Sequence, residues 1–355
     1  MQPPTSSGNS VPPSKPLTDG ETLKACLFNL IIYTHEPRRT HYFQEVAKMI
    51  MPTFPCRIIF IQLNLASTDR EVHIHTAIRT NPERGIVCDQ ISIEASSQSI
   101  DRVYFLLFSL LIPDLPIYLL WGQDPTKAQT LLPRLQRLAS RLIFDSEATD
   151  NLQQFSRDML TRLANSSIAI VDMNWARIGG WREVLAQTFD SQARFDQLRT
   201  ATEITVTFND RPSEVLLHPD TRAIYLQAWL ASRLGWQWQR SEPHDQGHKL
   251  IYQSTEGSHV IQLLPQSDDR FESEEVLGVE ICSSDYACHL KRISADRVRV
   301  QASNQIECAL PFTLLMPTLR SGRGLMQEIF YQKISNQYEP TLKLINLGDW
   351  STKSG

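Results

Sequence analysis

From residue 25 onward, short runs of nearly continuous apolar residues alternate with segments whose apolar positions recur every three or four residues. The first run, residues 25–33 (ACLFNLIIY), predicts a strand covered on both faces. Phe43, Val46, Ala47 and Ile50 then sit at helical spacing within residues 39–51, and Pro52 and Pro55 end that helix. Strands follow over residues 57–63, 71–78 and 85–94, the last two forming an antiparallel hairpin appended to a sheet. The rhythm then becomes regular: helix 97–111, strand 117–121, helix 126–139, strand 141–145, helix 150–163 and strand 167–172. Repeated alternation of this kind predicts a parallel, doubly wound sheet with helices on both faces.

After Asp190 the pattern changes. A strand over residues 203–208 and a long helix over 213–234 precede short runs at 249–254, 259–264, 275–282, 286–293, 297–302 and 307–312. A helix over 324–335 closes this meander. The predicted fold class is α/β: an N-terminal doubly wound, mostly parallel sheet domain plus a C-terminal α+β domain with an antiparallel meander. The expected boundaries are a disordered leader rich in Pro, Ser and Gly (1–20), the α/β domain (21–172) and a linker with connecting helix (173–199). The α+β domain (200–338) and a tail (339–355) complete the chain.

The junction 172–190, DMNWARIGGWREVLAQTFD, starts where a buried strand ends and runs into a helix over 181–189. Two tryptophans and two arginines in so short a stretch make either a packing hinge or an interaction surface.

Composition narrows the options. A hydrophobic fraction of 41% and a charged fraction of 21% in 355 residues suit a soluble globular chain with two cores. With 35 Lys plus Arg against 39 Asp plus Glu, the chain lacks the basic excess a nucleic-acid partner demands, so none is expected. Pro113, Asp114 and Pro116 interrupt the most apolar stretch, and no membrane span is expected either. The 6 cysteines form no CxxC, and no apolar secretion segment precedes them. They predict reduced thiols and a cytoplasmic location.

Chemistry-bearing motifs are few. The first strand-to-helix turn, Thr34-His35-Glu36-Pro37-Arg38-Arg39, has no glycine where a dinucleotide fingerprint needs several, so no cofactor is expected. His73 and His75 share a strand face, and His244 and His248 share a loop, but neither pair has an identifiable third ligand for a metal. The run Arg320-Ser321-Gly322-Arg323-Gly324 offers an anion its arginines and backbone N–H groups, although a plain helix entry explains the same residues. Cys282 and Cys288 flank a hairpin turn; inert packing is the simpler reading and a redox pair the sharper one. Asp114, Asp145 and Asp172 adjoin successive strands and mark a candidate crevice at the C-terminal ends of the parallel strands. Such a crevice would serve an enzyme of carbohydrate or nucleotide metabolism, or a small-molecule sensor.

Asp172-Met173-Asn174-Trp175-Ala176-Arg177, followed by Trp181-Arg182-Glu183 and Phe189-Asp190, resembles the signature of the glucose-6-phosphate dehydrogenase assembly protein family (OpcA). In the same order, Ala25-Cys26 with Asn29-Leu30-Ile31, Cys56-Arg57-Ile58-Ile59, Pro113-Asp114-Leu115-Pro116 with Trp121, and Arg141-Leu142-Ile143-Phe144-Asp145-Ser146 are similar to that family. Gly179-Gly180 departs from it, standing where relatives tend to have a Thr-Pro-like pair that would stiffen the helix start. The resemblance implies a non-catalytic partner that binds glucose-6-phosphate dehydrogenase, promotes its active oligomer and so controls the oxidative pentose phosphate pathway. It also implies partner contacts at Asn174, Trp175, Arg177, Trp181 and Arg182, unless the tryptophans instead plug the core between two domains.

Overall fold

The computed structural model describes residues 26–50, 54–81, 86–127, 130–214, 218–244, 247–304, 308–316, 329–330 and 335–350. Two sheets organise them. The first is seven-stranded, in the order β3-β4-β2-β1-β5-β6-β7. Its strands are β1 (Asn29–Thr34), β2 (Arg57–Asn64), β3 (His73–Asn81), β4 (Ile86–Ser96), β5 (Ile117–Trp121), β6 (Arg141–Phe144) and β7 (Ala169–Asp172). Every pairing is parallel except β3 on β4, which puts the expected hairpin at one edge. Helices α1 (Pro37–Ile50), α2 (Ile100–Leu110), α3 (Leu132–Leu135) and α4 (Leu152–Asn165) make the crossovers. The chain moves outward from β1 to β2 and then returns through α2 to β5 on the other side of β1. That reversal creates a topological switch point at the C-terminal ends of β1 and β5.

The second sheet is eight-stranded and mostly antiparallel, in the order β15-β14-β13-β12-β8-β11-β10-β9. It comprises β8 (Glu203–Asn209), β9 (Gln237–His244), β10 (Gly247–Ser254), β11 (Gly257–Gln266), β12 (Val276–Cys282), β13 (Tyr286–Ser294), β14 (Arg297–Asn304) and β15 (Phe312–Leu315). Only β8 and β11 pair in parallel among these strands. Helices α5 (Met173–Arg177), α6 (Gly179–Thr188) and α7 (Gln192–Arg199) connect the sheets. Helix α8 (Thr221–Leu234) packs against the second sheet and against α5, and it is buried on nearly every side. This helix is enclosed between the two halves of the molecule and carries the buried polar side chains Arg222 and Gln227 among its apolar ones. It ends at Gly235, whose φ of 69° is the left-handed cap that glycine adopts without strain.

One apolar cluster runs from Ile31 and Trp121 in the first sheet through Trp175, Trp181 and Tyr225 to Val206 and Val300 in the second. A separate cluster around Phe28, Phe43 and Ile58 covers the other face of the parallel sheet, where Phe330 stacks on Phe28 at 5.0 Å.

Several elements differ from expectation. The helix over 126–139 is reduced to α3, because Pro133 lacks an N–H and is tolerated only in a first turn. The helix over 213–234 begins only at Thr221, two residues after Pro219, with Asp220 at its N-cap. Strand β9 escapes the hydrophobic pattern because it is an edge strand with few apolar positions. The strand expected at 307–312 lies at Phe312–Leu315, preceded by an isolated bridge from Cys308 to Ser303. Of the helix expected at 324–335, only Ile329, Phe330 and Ser335 are described; the Arg320–Gly324 run lies outside the described residues. Within the segment read as a tail, α9 (Tyr338–Ile345) buries Tyr338, Thr341, Leu342 and Ile345 against α8 and α4, and Trp350 folds back to donate to the Ile345 carbonyl at 2.7 Å. Among the described residues no helix is long and apolar enough to cross a membrane.

Candidate functional site

The C-terminal ends of β1, β5, β6 and β7 converge on buried polar side chains. Asp145, directly after β6, is fully buried and holds two arginines: Arg39 at 2.7 Å and Arg177 at 2.8 Å. Burial alone would raise its pKa, but the two guanidiniums outweigh that and hold it at about 2. Arg39 also donates through Nε to the Gly122 carbonyl at 3.4 Å, so its side chain fills the switch point between β1 and β5. Gly122 is needed there, since a Cβ would lie 2.4 Å from the Phe43 ring and 2.9 Å from the Tyr33 carbonyl oxygen.

Asp172 ends β7 and caps α5, accepting from the Asn174 N–H at 3.0 Å and the Ser146 N–H at 3.2 Å. The Tyr225 hydroxyl of α8 donates to its other oxygen. Burial raises Asp172 to about 6; the Tyr225 hydrogen bond opposes this and the Asp145 charge adds to it. Asn174 donates to Glu147 at 2.8 Å and to Ser146 at 2.9 Å, and accepts from Arg177 at 2.8 Å. Tyr42 of α1 accepts a further hydrogen bond from Arg177. Asp145 and Asp172 thus meet through the residues they share. Asp114 does not join them: it precedes β5, at the opposite end of the sheet, exposed, with a left-handed φ of 64°. The crevice expected at three aspartates therefore reduces to two, and arginine and tyrosine side chains fill it.

The candidate contact residues lie inside. Asn174, Trp175, Arg177 and Trp181 are all less than a tenth exposed; only Arg182 is half-buried at the edge. Trp181 donates from its indole to the Val276 carbonyl at 3.1 Å, tying α6 to β12. Trp175 lies 5.4 Å from the Tyr338 ring of α9, and the Arg182 guanidinium stacks 3.8 Å above it. Both tryptophans join elements across the junction, as the packing-hinge reading of this stretch expects.

Beside this cluster the α5–α6 corner and α8 face the loop of residues 268–275 across a cleft. Asn209, at the end of β8, holds that loop: its amide donates to the carbonyls of Asp268, Phe271 and Glu272, and its side-chain oxygen accepts from the Asp268 N–H. Glu274 closes the loop at a φ of 67°, a conformation costly for a side chain with a Cβ. It is fully buried, 3.5 Å from Arg222. Burial and the neighbouring Glu147 push its pKa well above the carboxylate range. None of Arg39, Tyr42, Glu147, Arg222 or Glu274 was marked by a sequence motif. The strand-end aspartates, and the resemblance that marked Asn174 and Arg177, were the signals that pointed to this region.

The other candidates resolve separately. His73 pairs with Asp69 on an exposed edge at 2.8 Å, and His248 with Asp220 at 2.8 Å. Among the described residues no His, Cys, Asp and Glu group is arranged to hold a metal. Cys282 and Cys288 are free thiols on adjacent strands, and burial raises both above the usual thiol range, which makes them poor nucleophiles.

Two family models match successive parts of the chain: the glucose-6-phosphate dehydrogenase subunit N-terminal domain over residues 47–165 and its C-terminal domain over residues 168–320. The OxPP cycle protein OpcA of Synechococcus elongatus is 25% identical over 281 residues, covering 76% of this chain and 58% of that protein. The OpcA of Synechocystis is 28% identical over 196 residues, covering 54% and 39%. The chain spans about half the length of the curated relatives it matches. Among solved structures, UDP-N-acetylglucosamine 3-dehydrogenase GnnA from Acidithiobacillus ferrooxidans aligns over 92% of this chain and 97% of its own, with a TM-score of 0.50 at 8% identity. At that identity the likeness concerns the fold alone.

Proposed function

Because the chain belongs to the OpcA family of glucose-6-phosphate dehydrogenase subunits, we propose that it is a non-catalytic assembly factor that binds glucose-6-phosphate dehydrogenase in the cytoplasm. In this reading it prefers the competent state of the enzyme, shifts the population toward the active oligomer and so controls the oxidative pentose phosphate pathway. The observation that carries it is the family match, which extends through both halves of the chain. The filled switch point agrees with it: where an α/β enzyme of this topology would admit a ligand, Arg39, Asp145 and Arg177 pack against one another.

Asn174, Trp175, Arg177 and Trp181 serve this role from inside, by fixing the α5–α6 corner. For direct contact the structure offers a different face. Phe105 and Phe108 on α2 are 70% and 56% exposed, beside a groove lined by Val72, Arg102 and Leu106 at the β3 edge. Exposed aromatics of this kind commonly anchor interfaces.

The test mixes the purified chain with its cognate dehydrogenase, following NADP reduction at varied glucose 6-phosphate and complex size by chromatography. A shift in rate or substrate affinity, together with a larger complex, is expected. Replacing Phe105 and Phe108 together by serine should weaken the complex by ~30-fold or more and leave thermal stability nearly unchanged. If rate, affinity and oligomer size all stay as they are without the chain, the proposal is wrong.

A further inference from the structure

The cleft between the α5–α6 corner, α8 and the 268–275 loop has a volume of about 70 Å³, room for several waters or one small tetrahedral anion. Arg177, Arg222, Arg270 and Arg292 line it, against Glu272 and Glu275. Most of these charges are already engaged. Arg292 pairs with Glu275 at 3.0 Å, and the outer Arg270 with Asp268 at 2.6 Å. Arg177 shares the single carboxylate of Asp145 with Arg39. Arg222 is different. Its side chain is only 9% exposed, its Nε makes no hydrogen bond, and its nearest carboxyl is Glu274 at 3.5 Å. At that distance, and with Nε unbonded, Glu274 leaves the Arg222 guanidinium a buried donor free to meet a further anion.

A buried donor without a hydrogen bond is costly, and an anion in the cleft that accepts from it would remove that cost. The walls suit one. Asn209 fixes the loop, and the Phe271 ring sits between Arg270 and Arg292, with their guanidinium carbons 5.4 and 5.2 Å from its centre. Planar guanidiniums converging on one small space recognise phosphate oxygens better than they recognise a monovalent ion.

We propose that this cleft binds the phosphoryl group of a small phosphorylated metabolite, with Arg222 as the buried anchor and Arg270 at the mouth. A nucleotide base has no room inside it. Occupation would tie α8 and the α5–α6 corner to the second sheet through a single anion, giving the chain a way to respond to a phosphorylated ligand.

The test is calorimetric titration of the purified full chain with inorganic phosphate, chloride replacing it at constant ionic strength. One saturable site is expected. Arg222→Gln should weaken binding about ten- to a hundredfold, the cost of losing a charge-assisted hydrogen bond. Arg270 is largely exposed, so Arg270→Gln leaves the fold intact and should weaken binding about three- to tenfold even if the Arg222 variant does not fold. Glucose 6-phosphate is then compared with glucose. Tighter binding of the ester than of inorganic phosphate identifies a metabolite site; equal binding identifies a site for the free ion and overturns the metabolite assignment. Absence of saturable binding, or affinity unchanged in Arg270→Gln or in a folded Arg222→Gln, overturns the site itself.

Discussion

Asp145 and Asp172 stand at the ends of neighbouring strands, close enough for their charges to interact, yet they respond to pH in opposite directions. Asp145 titrates at about 2, below the value near 4 of an unfolded aspartate, so its stabilisation is present above pH ~4 and lost as pH falls toward 2. Asp172 titrates at about 6, so its contribution is fully present below pH ~4 and lost as pH rises through 6. A shift of this size corresponds to about 3 kcal/mol. Asparagine can still cap α5 through its one oxygen, while its amide donates to the Tyr225 hydroxyl in place of accepting from it. Asp172→Asn should therefore remove the fall in stability between pH 4 and 6, read as urea midpoints across that range. A variant profile parallel to the wild type would show that Asp172 is not the titrating group. The sequence marked both aspartates because strand ends are where α/β folds place polar groups. It could not mark Arg39 or Tyr225, which reach them from 106 and 53 residues away.

At the scale of elements, the α5–α6 corner is where the packing of distant segments meets. Trp175 touches α9 and Trp181 bonds β12, so truncating either leaves a cavity bordered by groups that cannot all collapse into it. Trp175→Ala should cost about 3–5 kcal/mol, seen as a lowered urea midpoint at unchanged slope. A variant as stable as the wild type would return Trp175 to the list of surface candidates. Aromatic density in 172–190 was legible from the sequence, whereas its direction was not, because a tryptophan at a helix start reads the same whether it faces solvent or another helix. The same limit explains α9. Its apolar stripe, with Leu342 and Ile345, follows a break in the pattern, and only α8 and α4 beside it give that stripe something to cover.

For the whole molecule, one apolar cluster reaches from the parallel sheet to the antiparallel one, with α8 buried in the middle. A continuous core of this kind should unfold as a unit. Circular dichroism at helical wavelengths and tryptophan fluorescence are expected to give coincident urea transitions; two separated transitions would show that the two sheets are independently stable. Strand and helix periodicities are local and survive without knowledge of neighbours, so the pattern along the chain was enough for the fold class and the parallel order of the first half. The sequence also determined the family, through short motifs at strand ends. That the tryptophans face inward, that Asp114 lies at the far end of the sheet, and that four arginines meet at one cleft emerged only with the folded chain. Those facts depend on contacts between residues tens to hundreds of positions apart, and no local pattern carries that information.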